Sequence, residues 1–427
     1  MGPTEFAVVG VLIIAYALIS KVSSSWPFTM PILFVGAGAL MSWSGAVEVE
    51  AELEGAKVIA ELALALILFS DAVRIDLHQL RKEALVPTRL LLIGLPLTIA
   101  FGTLVNVLLF PGLPVVEMAL LAAILAPTDA ALGAAVVEDE RVPLRERLSL
   151  NVESGLNDGL VVPVVTVLTV IAVTGETSAS DALLEVVEKI GYGVGVGIVV
   201  GGAGMLLLGA AHRRGWADGR YEQVATFVVP IVAYTGAESL DGSGFLAAFS
   251  AGLTFGAVGS IANATHFGEF TEDAAQLLGI AAFFVFGNLF VGDAIGSFQP
   301  VVWLCALASL TVVRMVPVWI SQLGAGRRWQ TILFLGWFGP RGLASIVFGI
   351  ILLEDASALG ASADDLFGVI TVTVTASVLL HGTTAAWGAR TYGAWAERAD
   401  LSADERDDMF MDDMDSDMIP PARWPTT

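Results

Sequence analysis

Residues 148–174 read LSLNVESGLNDGLVVPVVTVLTVIAVT, and this stretch decides the fold. Beyond Leu160 it is almost wholly apolar, and the whole run has the length needed to cross a bilayer core. Its first half nevertheless carries Glu153, Asn157 and Asp158. Ionisable groups at membrane depth cost several kcal/mol, so they mark a pathway or a paired network. As a helix, the stretch puts Ser154 and Asp158 on one face, four residues apart. Glu153 and Asn157 share the adjacent face by the same spacing. One face offers a hydroxyl and a carboxylate, the other a carboxylate and an amide.

The rest of the chain fits that reading. Of 427 residues, 56% are hydrophobic and only 15% charged, too little charge to cover a soluble domain of this length. Turn and charge clusters divide the chain into about thirteen apolar spans. These are 5–22, 27–43, 57–74, 88–110, 116–137, 148–174, 185–211, 220–238, 243–262, 274–293, 299–321, 330–352 and 364–388. The first has no basic region before it and no clear cleavage site after it, so it reads as a true span rather than a signal peptide. The expected class is an all-α polytopic membrane protein.

Loop charge supports the count. Arg74, Arg81, Lys82, Arg89, Arg141, Arg145, Arg147, Arg213, Arg214, Arg220, Arg327, Arg328 and Arg390 all fall on one side if thirteen spans are right. The other side holds acids such as Glu48, Glu50, Glu52, Asp355 and Asp364, with only Lys57 and Lys189 as bases. The positive-inside rule then predicts a cytoplasmic C-terminus and an outer N-terminus, in a multi-pass cell-membrane protein. Residues 1–393 are expected to form the membrane domain. Residues 394–427 read as a short acidic cytoplasmic tail, with eight acids between Asp404 and Asp417, and as disordered. The net charge of −22 argues against nucleic-acid binding. The lone Cys305 and four histidines make a conventional zinc site improbable, and no cofactor is expected.

Three further spans carry charge. Asp71 lies in the third, Asp129 follows Pro127-Thr128 in the fifth, and Arg341 stands in Gly339-Pro340-Arg341-Gly342 of the twelfth. Carboxylates outnumber cations there, so at least one must be protonated or hold an external cation. Each proline removes a helical hydrogen bond and frees a carbonyl, which at membrane depth is tolerated where it faces protein or a cavity. The two interruptions lie seven spans apart, so their helices run in opposite directions. That predicts inverted repeats with two broken helices crossing at the midplane. Arg314 reads as a packing or snorkelling residue. Glu61 and Glu238 read as interfacial, His78 and His266 as loop residues, and His381 as packing or hydrogen bonding.

The motifs Ala126-Pro127-Thr128-Asp129, Glu153-Ser154-Gly155-Leu156-Asn157-Asp158-Gly159, Gly242-Ser243-Gly244-Phe245-Leu246-Ala247-Ala248-Phe249 and Gly336-Trp337-Phe338-Gly339-Pro340-Arg341-Gly342 together resemble the monovalent cation:proton antiporter-1 family, most of all its NhaP-type sodium/proton antiporters. The resemblance implies the NhaA/NhaP-like antiporter fold and a homodimer built partly by the first span. It implies Asp158 as the carboxylate that binds either the proton or the cation. Asp129, Thr128, Ser154 and Asp71 would line the Na+ site, and Glu153 would pair with Arg341 to join spans six and twelve. Asn157 stands where electrogenic relatives carry a second aspartate, which implies electroneutral one-for-one exchange. Many relatives have Glu at the position of Asp71, and animal members carry a large cytoplasmic regulatory domain, a kind of regulation not expected from the short acidic tail read here.

The resulting expectation is exchange of sodium for protons by alternating access, both ions competing for Asp158. Burial disfavours a bare carboxylate, and either ion relieves it. Oxygen ligands suit a hard cation such as sodium. Potassium or lithium in place of sodium stays open. So do an intramembrane aspartyl protease, although its Gly-x-Gly-Asp motif is missing, and an ion channel. No phosphate-binding Gly-x-x-x-x-Gly-Lys motif is present.

Overall fold

The computed structural model describes residues 3–23, 29–44, 53–74, 85–174, 179–261, 268–291, 299–354 and 362–399. Among these residues the regular structure is helical throughout. The chain opens with α1 (Pro3–Ser23), α2 (Met30–Ser44) and α3 (Leu53–Val73). The short α4 (Leu85–Arg89) passes through a π-helical turn, Leu90–Gly94, into α5 (Leu95–Leu109). Then come α6 (Val115–Ile124), α7 (Ala130–Val137), α8 (Leu144–Thr174), α9 (Ala179–Arg213), α10 (Gly219–Glu238) and α11 (Gly244–Ile261). α12 (Glu269–Phe286) ends in a second π turn, Gly287–Val291, followed by α13 (Pro300–Leu310), α14 (Val312–Ser321), α15 (Trp329–Trp337), α16 (Leu343–Glu354) and α17 (Ser362–Arg398).

Among the described residues, every predicted span falls on one of these helices or on consecutive helical segments. Continuous helical segments Leu85–Leu109, Leu144–Val173, Val186–Arg213, Glu269–Val291, Pro300–Ser321 and Ala363–Arg398 are long and apolar enough to cross a bilayer. The predicted fifth and twelfth spans are each split into two short helices, α6/α7 and α15/α16. A helix of ten residues such as α6 rises about 15 Å, half the hydrocarbon core. Two differences from expectation stand out. The eleventh span is also interrupted, at Thr311, and α14 carries Pro317, which cannot bond back to Val313. The last helix runs to Arg398, past the expected domain boundary at 393.

Small residues set the depth of the interior. Gly193, Gly197 and Gly201 recur every fourth residue along one face of α9, where an added Cβ would strike the backbone of Ser243, just before α11, or of Ala247 or Ala251 on it. On the opposite side of α11, Gly252 and Gly256 touch the backbone of Phe69 and Val73 on α3. This α9–α11–α3 stack carries Asp71 to its place. The main hydrophobic core gathers α2, α3, α6, α8, α11, α12, α16 and α17 around the two interruptions.

Candidate functional site: a crossing of two broken helices

α6 stops at Ile124 because Pro127 offers no N–H to continue it, and α7 restarts at Ala130. α15 stops at Trp337, Gly339 and Pro340 prevent continuation, and α16 restarts at Leu343. The gaps are bonded to each other: the Asp129 N–H donates to the Pro340 carbonyl at 2.8 Å. Four helix ends therefore meet in the interior, each with backbone groups its own helix cannot satisfy.

One carboxylate serves both N-termini. Asp129 Oδ1 accepts from Leu132 N at 3.3 Å on α7, and Oδ2 accepts from Leu343 N at 2.8 Å on α16. The negative charge also suits the positive ends of both helix dipoles. Gly342 is required here, since any Cβ would overlap the Asp129 carboxylate. Each C-terminal end meets an arginine instead. Arg341 Nη1 donates to the carbonyls of Ala126 (2.7 Å) and Pro127 (3.2 Å), while Ser345 Oγ donates to that of Ile124 (2.8 Å). At the end of α15, Arg314 Nη2 reaches the Leu335 carbonyl at 3.5 Å. The Arg341 N–H in turn donates to Ser377 Oγ on α17 at 2.6 Å, and Ser377 is in contact with His381 Nδ1 at 3.1 Å.

This overturns one expectation. Glu153 is not paired with Arg341. Arg314 holds it in a two-pronged bond, Nη1 to Oε1 at 2.5 Å and Nη2 to Oε2 at 2.8 Å, with both side chains only 3% exposed. The physical reason is the crossing itself. Arg341 is drawn to the Ala126 and Pro127 carbonyls, which have no helical partner where the helix is broken, whereas Glu153 faces α14. Arg314 is accordingly no snorkelling residue: it lies against Gly339 and joins α8, α14 and α15.

The oxygens proposed for a cation lie beside the crossing. Thr128 Oγ1 shares a 3.0 Å hydrogen bond with Ser154 Oγ and accepts from Asn157 Nδ2 at 2.6 Å. Ser154 and Asn157 thus act together on Thr128 across one turn of α8. Asp158 is buried, 8% exposed, and its Oδ1 has no hydrogen-bond partner among the described residues. The Asn157 Oδ1 and Ser70 Oγ atoms are likewise buried and unpartnered. Asp71 packs against Gly155 on α8, and Asp71, Asp129 and Asp158 are close enough for their charges to repel one another. A buried carboxylate oxygen left without a partner is costly, and it suits a hard cation or a proton.

The structure thus brings Asp71, Thr128, Asp129, Ser154, Asn157 and Asp158 together and places Glu153 and Arg341 at neighbouring but separate tasks. The sequence reading missed the pairing of Arg314 and the contacts of Ser345 and Ser377. Only Arg314 had a signal, its position in the middle of an apolar run. His381 takes the hydrogen-bonding role expected of it. His78, His266 and the acidic residues after Ala399 lie outside the described residues.

Helical membrane proteins whose interior is organised by two broken, crossing helices around buried acids form a recognisable class of secondary transporter folds. Within that class, the chain belongs to the sodium/hydrogen exchanger family, whose transmembrane region it matches over residues 8–390. It is 26% identical over 363 residues to the K(+)/H(+) antiporter NhaP2 of Shewanella sp. (strain MR-4), covering 81% of this chain and 60% of that protein. It is also 26% identical over 386 residues to the Na(+)/H(+) antiporter ApNhaP of Aphanothece halophytica, covering 87% of this chain and 72% of the relative. Its fold is similar to that of the sodium proton antiporter MjNhaP1 from Methanocaldococcus jannaschii, with a TM-score of 0.75 at 19% identity over 91% of this chain and 99% of the other.

Proposed function

We propose that this chain exchanges a monovalent cation for protons across the cell membrane, with both ions competing for Asp158. The observation that carries the reading is the buried, unpartnered Oδ1 of Asp158 beside Asp71 and Asp129 at a helix crossing. A carboxylate so placed favours either a proton or a cation over standing bare. Thr128, Ser154, Asn157, Asp71 and Asp129 supply oxygens around it, and no cofactor is needed. The cation binds as substrate when the site faces one side, and the proton replaces it on the other. Movement of the crossing helices with α8 alternates the access. One titrating carboxylate with Asn157 beside it supports electroneutral, one-for-one exchange. We further propose a homodimer, with the N-terminus outside and the C-terminus in the cytoplasm.

Sodium is the proposed substrate, on the all-oxygen donor set and the sodium named for ApNhaP and MjNhaP1. Potassium is the second reading, because the NhaP2 relatives are named for it. A protease dyad is disfavoured, since both oxygens of Asp129 already accept backbone N–H groups.

The test is reconstitution in liposomes holding a pH dye, with an acidified lumen and sodium, potassium or lithium added outside. Cation-dependent proton release by the parent, absent in a folded Asp158→Asn variant, is the expected result, with sodium the most effective. Parent protein that folds yet gives no cation-dependent signal over a wide pH range sinks the reading.

A further inference from the structure

Away from the crossing, the described residues form a cavity of about 620 Å³ lined by Arg328, Arg390, Thr391, Ala394, Trp395, Arg398 and Ala399. Arg390, Ala394 and Arg398 recur every fourth residue and share one face of α17. Arg328 enters from the start of α15, its guanidinium 5.9 Å from the Trp395 ring centre. All three arginines are exposed, so the cavity is a basic bowl with an indole in its wall. It plays no part in the proposed ion site.

Two properties define its ligand. Three guanidinium groups in one bowl select carboxylates or phosphates, since arginine forms short, charge-assisted bonds with both. The half-buried Trp395 adds an apolar surface. The chain itself carries a segment of that composition. Residues 404–417 read DERDDMFMDDMDSD, eight acids to one base, with Met409, Phe410, Met411 and Met414 interleaved. It starts five residues after Ala399, which lines the bowl. Five extended residues span about 17 Å, enough to turn back over the cavity. A tether this short also holds the acids at about millimolar effective concentration, which a free anion rarely matches.

We propose that the bowl formed by Arg328, Arg390, Trp395 and Arg398 is the docking site for the chain's own acidic segment 404–417. The carboxylates meet the three arginines, and Phe410 with its flanking methionines packs on Trp395. The bowl is connected to the crossing. Trp395 packs on Tyr392 at 5.4 Å, Tyr392 stacks on Phe334 at 4.1 Å, and Phe334 packs on Phe338 at 4.8 Å, directly before Gly339. A docked segment therefore rests on an aromatic file that ends at the broken helix.

Disulfide trapping tests this without any transport measurement, so its outcome is independent of the antiport reading. Full-length protein carrying Ala394→Cys and Asp412→Cys is placed in phosphatidylcholine nanodiscs and oxidised. The native Cys305 is buried and does not compete. Trapping is expected to be about tenfold or more faster than in a Trp216→Cys and Asp412→Cys control, because docking adds to the effect of the tether. It should slow towards the control when Arg390→Gln and Arg398→Gln are added, and when salt rises from about 0.05 M to about 0.5 M. Both arginines are exposed, so their replacement leaves the fold intact. A rate equal to the control, or one indifferent to the arginine changes, overturns the proposal. Loss of trapping when phosphatidylglycerol is added assigns the bowl to lipid headgroups and overturns the acidic segment as its occupant.

Discussion

Glu153 and Arg314 form a buried ion pair beside the crossing, and removing one partner costs more than removing both. Glu153 and Arg314 are buried together, so breaking the pair leaves an uncompensated charge in the interior. Arg314→Met alone is expected to destabilise by about 3–5 kcal/mol, while the Glu153→Gln, Arg314→Met double variant recovers most of the loss. Thermal unfolding in detergent separates the two; a double variant no more stable than the single one would refute the pairing. Gly342 is sensitive for a different reason, the space it leaves for Asp129. Gly342→Ala pushes a methyl into the Asp129 carboxylate, so it should abolish exchange and lower the melting temperature. Gly133→Ala, where a Cβ meets nothing within 4 Å, should do neither, and comparing the two variants isolates the crossing from general helix effects.

At the scale of elements, the short loop between α7 and α8 offers a pH test outside the membrane-spanning segments. Arg141 grips Asp139 with Nε (2.8 Å) and Nη2 (2.5 Å), and its own N–H adds a third bond at 3.0 Å. The side-chain hydrogen bonds from Arg141 hold the Asp139 carboxyl below its usual range. A depressed folded-state value means the stabilisation is complete above the unfolded value of about 3.9 and is lost as pH falls through the lower folded one. Asp139→Asn should therefore melt below the parent at neutral pH, with the gap closing only below about pH 4. Melting curves across pH check this, and a gap that stays constant into acid would remove the assignment. α17 packs on the same loop, since a Cβ on Gly393 would meet the Arg141 backbone.

For the whole molecule, the testable quantity is orientation. The arginine-rich loops share one face under the predicted count, so the loop at Trp216 should face the cytoplasm and the turn at Asp241 the outside. An impermeant thiol reagent applied to intact cells should label Asp241→Cys and spare Trp216→Cys, and the order should reverse in inside-out vesicles. Labelling of both from one side would break the expected topology.

What was legible in the sequence is what depends on local chemistry. Apolar run length marks a membrane helix wherever it occurs, so the spans were readable without neighbours. Pro127 and Pro340 break helices by losing an N–H, and the positions of Asp71, Asp129 and Asp158 declare themselves by the cost of a charge in lipid. Spacing alone also put Ser154 and Asp158 on a common face. Partner choice was different, because it depends on how far each helix is rotated and sunk relative to the others. The glycine contacts of α9, α11 and α3 set that depth, and no one segment encodes it. Only the packed structure could therefore assign Glu153 to Arg314 and turn Arg341 to the carbonyls of Ala126 and Pro127. Only there does one carboxylate, Asp129, cap two helices whose N-termini lie more than two hundred residues apart in the chain.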